Sequence, residues 1–273
     1  MDLGLKDKVA VVTGASRGLG RAIAYGLAAE GTALAICSRG EPLIQEIARD
    51  ISARYQAEVH WEALDLLSPG ACEKFIEGTI ERFGGIDILV NNVGRGLGKP
   101  FEDLTEEEWQ NLLDINLKTT IRCSRAALPV MKKRGRGRII NVAALSGKVP
   151  RLGQIGSNVA KAALINFTES LAREVAPYGI RVNAVCPAAV MTERWEQRVK
   201  EVARRTGEDF AAAARNVART AIPVGRFGLP QEVASAVAFL ASERADFITG
   251  TCLVLDGGIG AGISLEFKPG DAV

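Results

Sequence analysis

The 273-residue sequence contains one histidine, His60, and none of its five cysteines lies in Cys-x-x-Cys spacing. An odd number of scattered cysteines argues against a disulfide framework, and the shortage of histidine argues against a zinc site. We therefore expect reduced thiols, a cytoplasmic setting and no bound metal.

The sequence also lacks long apolar runs and a dominant sign of charge. No stretch approaches the ~18 apolar residues of a membrane span, and charged residues begin at Asp2, so we expect no membrane segment and no export signal. Lys and Arg number 34 against 32 Asp and Glu, which leaves a formal charge of +2. This weak charge favours a small-molecule substrate over nucleic acid or a membrane as the partner.

Short apolar segments alternate with longer helical patterns along the chain. Segments rich in β-branched residues predict strands at 8–13, 33–38, 58–63, 86–90, 137–143, 180–185 and 251–255. Helical patterns lie at 18–30, 41–54, 68–83, 105–133, 157–176 and 230–242. This alternation implies right-handed crossovers between parallel strands. We predict an α/β fold: one doubly wound domain over residues 1–273, with a seven-stranded parallel sheet and helices on both faces.

Residues 192–222 interrupt the alternation with two amphipathic helices joined near Thr206 and Gly207. They follow the sixth strand, and parallel sheets bind ligands beyond the carboxyl ends of their strands. We expect the segment 188–222 to form a substrate lid; a helix pair for packing or subunit contact is the alternative. Residues 260–273 are predicted to form a C-terminal tail, either partly disordered or an oligomer arm.

A glycine-rich string, Thr13-Gly-Ala-Ser-Arg-Gly-Leu-Gly20, joins the first predicted strand to the first helix. Glycines at this place let the backbone turn tightly and approach a pyrophosphate, which the amides and dipole of the helix N-terminus then hold. The string therefore predicts a dinucleotide site.

Four further motifs accompany this string: Asn91-Asn-Val-Gly94 after the fourth strand, Asp65 after the third, Asn116 within a helix, and Leu255-Asp-Gly-Gly258. With them, the chain resembles the short-chain dehydrogenase/reductase superfamily over about residues 5–259. Val93 and Ala188 stand where the family usually has alanine and glycine, which leaves the expected fold intact.

The resemblance implies a Rossmann-type fold and a homotetramer built as a dimer of dimers through the long helices, the last helix and the last strand. It also implies a cofactor site with a defined set of residues. These are Gly14, Ser16, Arg17, Gly18, Leu19, Gly20, Ser38, Arg39, Asp65, Leu66, Asn92, Gly94, Lys161, Pro187, Val190 and Thr192.

The charge at the end of the second strand indicates which nicotinamide cofactor is bound. NAD-selective relatives usually place an acid there, which binds the ribose 2′-hydroxyl and would repel a 2′-phosphate. This chain instead has Ser38 and Arg39, with Arg17 in the glycine string. Two guanidinium groups can pair with a phosphate, so we predict NADP(H); surface solvation of both arginines is the alternative.

The expected catalytic positions depart from the usual family pattern. Most members place a tyrosine four residues before a lysine and a serine thirteen residues before that tyrosine; the tyrosine exchanges a proton with the substrate oxygen. Lys161 matches the lysine, but position 157 is serine and position 144 is alanine. No tyrosine lies between residues 56 and 177, so none is well placed to substitute.

Asn116, Ser157 and Lys161 remain as candidate catalytic residues. Ser157 and Lys161 are four residues apart and share a helix face. Because a serine hydroxyl is a weaker acid than a phenol, we expect Ser157 to orient a substrate oxygen or a water molecule. We expect Lys161 to hold the cofactor ribose and to supply positive charge.

This pattern resembles a divergent, ketoacyl-carrier-protein reductase-like subgroup that lacks the usual tyrosine and serine. The resemblance implies an NADP(H)-dependent oxidoreductase for a carbonyl/alcohol pair or an activated alkene, a 3-oxoacyl thioester among them. The alternative is an NADP(H)-binding regulatory or scaffold protein with little or no catalysis.

Overall fold

The structure, a computed structural model, describes residues 2–261, in which seven parallel strands form one sheet in the order β3-β2-β1-β4-β5-β6-β7. The strands are β1 (Val9–Thr13), β2 (Ala33–Ser38), β3 (Val59–Ala63), β4 (Ile88–Asn91), β5 (Gly137–Val142), β6 (Ile180–Pro187) and β7 (Cys252–Leu255). Each lies within two residues of its predicted bounds. The predicted doubly wound sheet is confirmed.

Helices cover both faces of the sheet. They are α1 (Gly18–Ala29), α2 (Glu41–Tyr55), α3 (Ala71–Phe83), α4 (Glu106–Leu113), α5 (Thr119–Arg134), α6 (Ile155–Val175), α7 (Glu193–Thr206), α8 (Phe210–Ala221) and α9 (Pro230–Ala241). One core lies between the sheet and α1, α2 and α9, and the other lies between the sheet and α3, α5 and α6. On β1, Ala10 and Val12 enter the first core and Val11 the second, so every residue of this strand is buried.

The predicted helix 105–133 begins as expected, with a capping box between Thr105 and Glu108, but it is not continuous. A π-helical turn over Asp114–Lys118 separates α4 from α5. Within it, Asn116 Nδ2 donates a hydrogen bond to the Leu112 carbonyl at 2.9 Å. This side-chain bond satisfies a carbonyl that the wider turn leaves without its usual partner.

The segment 192–222 forms two helices, α7 and α8, joined across Gly207, which takes φ +73°. They share a small apolar core of their own, in which the rings of Trp195 and Phe227 lie 5.1 Å apart. The tail predicted for 260–273 lies almost wholly outside the described residues. No helix between Asp2 and Ala261 has both the length and the apolar character needed to span a bilayer.

A chain of buried polar side chains crosses the centre of the sheet. Asn91 Nδ2 donates to Asn141 Oδ1 at 2.9 Å and to Ser124 Oγ at 3.2 Å. Asn141 Nδ2 donates to Thr168 Oγ1 at 2.9 Å, and the Thr168 hydroxyl donates to the Leu164 carbonyl at 2.8 Å. The chain therefore links β4 and β5 to α5 and α6, which cover the same face of the sheet.

Candidate active site

The glycine string lies at the carboxyl edge of the sheet and is folded tightly against β4. A Cβ atom placed on Gly20 would lie 2.3 Å from the Gly14 carbonyl oxygen and 2.4 Å from Asn92 Nδ2. Gly18 takes φ +53°, a left-handed conformation that other residues rarely adopt. Glycine is therefore required here to bring the backbone amides at the start of α1 to the edge of the sheet.

Asn92 holds this string in place. Its Nδ2 donates to the carbonyl oxygens of Thr13 at 3.0 Å and Gly14 at 3.2 Å. In return, Thr13 Oγ1 accepts hydrogen bonds from the backbone amides of Asn92 and Val93, at 2.9 and 3.2 Å. The Asn92 side chain thus bonds backbone carbonyls of the protein. It thereby positions the glycine string, which we predicted would bind the cofactor.

The carboxyl ends of β1 and β2 are neighbours and carry the two arginines predicted to select the cofactor. Arg17 and Arg39 are exposed, and neither has a carboxylate within 4.0 Å among residues 2–261. The hydroxyl of Ser38, the residue before Arg39, is buried and has no hydrogen-bond partner in the described part of the chain. Two cations and a donor without an acceptor fit the 2′-phosphate of NADP(H).

Other predicted cofactor residues surround this edge. Asp65 follows β3 in a turn in which its Oδ1 accepts from the Leu67 amide at 3.0 Å, and Leu66 is buried beside it. Ser16 and Leu19 are half-buried in the string. Pro187 ends β6, and Val190 pairs with Gly228 just beyond it.

The start of α7 lies over the glycine string. A Cβ atom on Gly18 would lie 3.6 Å from the Thr192 methyl and 3.5 Å from Glu193 Oε2. Glu193 Oε1 accepts a hydrogen bond from the Gly18 amide at 3.4 Å. The segment predicted to be a lid therefore contacts the glycine string, and a cofactor contact of Thr192 stays a prediction.

Asn116 and Lys161 converge on Gly94. A Cβ atom at Gly94 would lie 2.6 Å from Asn116 Oδ1 and 3.0 Å from Lys161 Nζ. Asn116 is buried; its Oδ1 accepts from the Arg95 amide at 3.2 Å and its Nδ2 donates to the Arg95 carbonyl at 2.9 Å. The π-helical turn thus holds the loop after β4 beside the Lys161 ammonium group.

Lys161 is a half-buried cation with a backbone partner. Its Nζ donates to the Val142 carbonyl at 2.9 Å. Burial lowers the pKa of Lys161 to about 8, and the nearby Cys186 opposes this only in part. At neutral pH the group is therefore an ammonium ion that gives up its proton more readily than an exposed lysine does.

We expect Lys161 to make the stability of the protein depend on pH. Between about pH 8 and 10.5, the lysine is neutral in the folded chain and protonated in the unfolded chain. Because the unfolded state then binds more protons, the free energy of unfolding rises with pH, by about 3 kcal/mol from this group. Urea unfolding without cofactor, at neutral pH and near pH 10.5, should show this rise in the wild type relative to Lys161→Met. Equal pH dependence in the two proteins would contradict it.

Ser157 lies on the same face of α6 as Lys161 but is only 4% exposed. Its Oγ accepts from the Leu97 amide at 2.8 Å and donates to the Leu97 carbonyl at 3.3 Å. The hydroxyl therefore holds the loop after β4, a role that the sequence did not reveal because its partners are backbone atoms. Direct contact between Ser157 and a substrate stays a prediction.

All three tyrosines lie away from this edge of the sheet. Tyr25 on α1 packs edge to face against Tyr55 at the end of α2 and donates a hydrogen bond to Asp50. Tyr178 precedes β6 and so lies at the opposite edge. Ser146 is buried in a 3₁₀ turn after β5. Within the described residues, no phenol lies beside Lys161.

Sequence comparison relates the chain to carrier-protein reductases. A family profile described as enoyl-(acyl carrier protein) reductase matches residues 14–260. The chain is 36% identical over 259 residues to the 3-oxoacyl-[acyl-carrier-protein] reductase FabG of Aquifex aeolicus, which covers 95% of this chain and 100% of the relative. It is 39% identical to the FabG of Vibrio cholerae over 94% of this chain and 99% of the relative.

Structure comparison leads to similar proteins. The chain superposes on the crystal structure of L-sorbose reductase from Gluconobacter frateurii, complexed with NADPH and L-sorbose, with a TM-score of 0.92 and 36% identity. The match covers 95% of this chain and 99% of that one.

Proposed function

Because the chain belongs to the short-chain dehydrogenase/reductase superfamily, we propose that it is an NADP(H)-dependent oxidoreductase that acts on the carbonyl group of a small molecule. The observation that carries this proposal is the convergence of Lys161 and Asn116 on Gly94, beside the glycine string. A cation and a dinucleotide loop are thereby brought to one edge of the sheet. A 3-oxoacyl thioester and an activated alkene remain alternative substrates.

NADP(H) is the cofactor that the residues of this edge fit. The amides at the start of α1 would hold its pyrophosphate, and Arg17 and Arg39 would hold its 2′-phosphate. When bound, the reduced cofactor supplies the hydride that adds to the carbonyl carbon. L-sorbose reductase, which has the same fold, is recorded with NADPH.

The chain's own residues would handle the charge that develops on the substrate oxygen. The Lys161 ammonium offsets this negative charge, and its pKa of about 8 suits the transfer of a proton near neutral pH. Its expected contact with the cofactor ribose follows from the family resemblance. Asn116 and Ser157 position the loop of Gly94 to Leu97 through its backbone.

We further propose that this site works without the tyrosine and serine usual in the family, as in the divergent ketoreductase-like subgroup. Losing a positioned general acid typically costs ~10² to 10⁴ in rate. Substrates whose oxygen needs no strong acid would be affected least. The similarity to reductases over the whole described fold favours an enzyme over a binding or scaffold protein.

A panel of carbonyl and enoyl compounds, followed by nicotinamide absorbance at high enzyme concentration, tests the proposed function. We expect NADPH to be oxidised with at least one carbonyl compound. Tight binding of NADPH with no turnover of any compound would instead favour the noncatalytic alternative.

Replacing Arg39 should remove most of the preference for the phosphorylated cofactor. The wild type should bind NADPH much more tightly than NADH, and Arg39→Ala should lose at least tenfold of that ratio because one charged partner of the phosphate is gone. Fluorescence titration with both cofactors measures the ratio. Arg219→Ala, which removes an exposed arginine on α8, should leave the ratio unchanged. Equal affinity of the wild type for both cofactors would refute NADP(H) selectivity.

Ser157→Ala should lower turnover at least tenfold, or ~1.4 kcal/mol of barrier, with NADPH affinity nearly unchanged. The substitution leaves the Leu97 amide without its acceptor, a loss of about 1 to 3 kcal/mol that loosens the loop beside Lys161. Steady-state kinetics should show the loss in kcat. Thr220→Val removes a similar hydroxyl bond from the exposed face of α8 and should have no such effect. Normal turnover of Ser157→Ala would show that the loop does not need this hydroxyl.

The assembly and setting of the protein complete the proposal. A dimer of dimers through α5, α6, α9 and β7 is implied by the family. Exposed apolar side chains on α6 and α9, among them Val159 and Phe239, support these faces as contacts. The proposed cytoplasmic setting rests on the odd number of scattered cysteines in the sequence.

A further inference from the structure

A cation that the proposed function does not use lies beside the loop after β4, near Ser157. Arg194, the second residue of α7, reaches the loop after β4. A Cβ atom on Gly96 would lie 3.1 and 3.3 Å from the two terminal nitrogens of Arg194, and 3.4 Å from Ser157 Oγ. The lid, this loop and helix α6 therefore meet at one guanidinium group.

Two further arginines lie close to Arg194. Partial burial lowers the pKa of Arg194, and the positive charges of Arg198 and then Arg151 lower it further. Arg198 lies one turn along α7, with its guanidinium 5.2 Å from the ring centre of Trp195, and Arg151 precedes α6. Like charges held this close repel each other, and a bound anion would relieve that repulsion.

Carboxylates of the protein do not neutralise this cluster of Arg151, Arg194 and Arg198. Within residues 2–261, none of the three has an acidic oxygen within 4.0 Å of a side-chain nitrogen. The adjacent acid, Glu193, is turned to the Gly18 amide instead. By contrast Lys99, the cation of the neighbouring loop, is paired with Glu108 at 2.8 Å.

We propose that this arginine cluster binds a carboxylate of the substrate, so that the substrate class is a short oxo acid. The inference rests on the proposed function, since it assumes that the carbonyl faces Lys161. On α6, Ser157 and Lys161 lie one helical turn apart, roughly 6 Å, and Ser157 is the one nearer to Arg194. A carboxylate in the fork of Arg194 would thus be a few bonds from the reacting carbonyl. A neutral ketone or an acyl thioester has no charge at that distance.

Binding to protein saturated with NADP⁺, which carries no hydride to reduce an oxo acid, tests the proposal independently of turnover. Calorimetry should compare acetoacetate and 4-oxopentanoate with their methyl esters, and should include dihydroxyacetone phosphate. We expect the wild type to bind at least one acid tenfold more tightly than its ester. Arg194→Gln should reduce that ratio at least fivefold, Arg194→Lys should keep part of it, and Arg219→Gln should leave it unchanged. NADPH affinity, measured for each variant, identifies any that has lost its fold.

Three results would overturn the inference. They are equal affinity for acid and ester, no saturable binding of either acid, and a preference that survives in Arg194→Gln. Binding of the phosphate ester but of neither acid would also count against an oxo acid. Failure of the proposed function would give a different result: the protein would bind the acid selectively, yet no NADPH would be oxidised.

Discussion

Lys161→Met should lower turnover by ~10² to 10⁴, about 3 to 5 kcal/mol of barrier, the largest catalytic effect expected in this protein. The variant removes the half-buried ammonium that converges with Asn116 on Gly94 and replaces it with an apolar chain of similar length. Nothing else in the described site offers both a positive charge and a proton near neutral pH. NADPH should also bind more weakly because the expected ribose contact is lost.

The control for this variant is Lys74→Met, which changes an exposed lysine on α3 and should keep full activity. Unfolding measurements distinguish loss of the catalytic group from loss of folded structure. Removal of this charge should not destabilise the protein at neutral pH. A folded Lys161→Met protein with near-normal kcat would remove Lys161 from the catalytic residues.

Gly20→Ala should abolish measurable NADPH binding, with at least a hundredfold weaker affinity. The new methyl group would lie 2.3 Å from the Gly14 carbonyl oxygen and 2.4 Å from Asn92 Nδ2, so the string must move away from β4. Overpacking of this kind typically costs about 1 to 3 kcal/mol of stability, and here it also displaces the amides that face the pyrophosphate. Titration with NADPH and thermal unfolding would measure both losses.

Gly40→Ala is the matched control near the same cofactor edge. A Cβ atom there meets nothing within 4 Å, and Gly40 has φ −93°, which alanine adopts without strain. This variant should bind NADPH as the wild type does. If Gly20→Ala also bound NADPH normally, the tight string would not be the cofactor site.

The sheet could be predicted from sequence because buried parallel strands are short apolar runs, as in β1 and β2. Caps could also be predicted: the capping box of Thr105 and Glu108 starts α4 where expected. The cofactor site near Arg17 and Arg39 could be predicted from the ends of β1 and β2 alone, because the carboxyl ends of neighbouring parallel strands lie at the same edge of the sheet.

The parts that could not be predicted depend on tertiary contacts. The π-helical turn at Asp114–Lys118 has the same apolar pattern as a regular helix. The bonds of Ser157 to Leu97 use backbone groups, which every residue carries, so the identity of residue 97 gave no signal. The position of Arg194 depends on how α7 packs against the loop after β4. Amphipathic spacing does not specify this packing.

The buried polar chain through Asn91 and Asn141 has a consequence for how the protein fails on heating. Asn92 and Gly94 follow directly on β4, and Lys161 lies two turns before Thr168 on α6, so one hydrogen-bonded network braces both halves of the site. Opening any part of this network would leave several buried amides without hydrogen-bond partners at once. Thermal loss of the catalytic geometry should therefore coincide with melting of the whole sheet, whereas α7 and α8, with their separate small core, should loosen at a lower temperature.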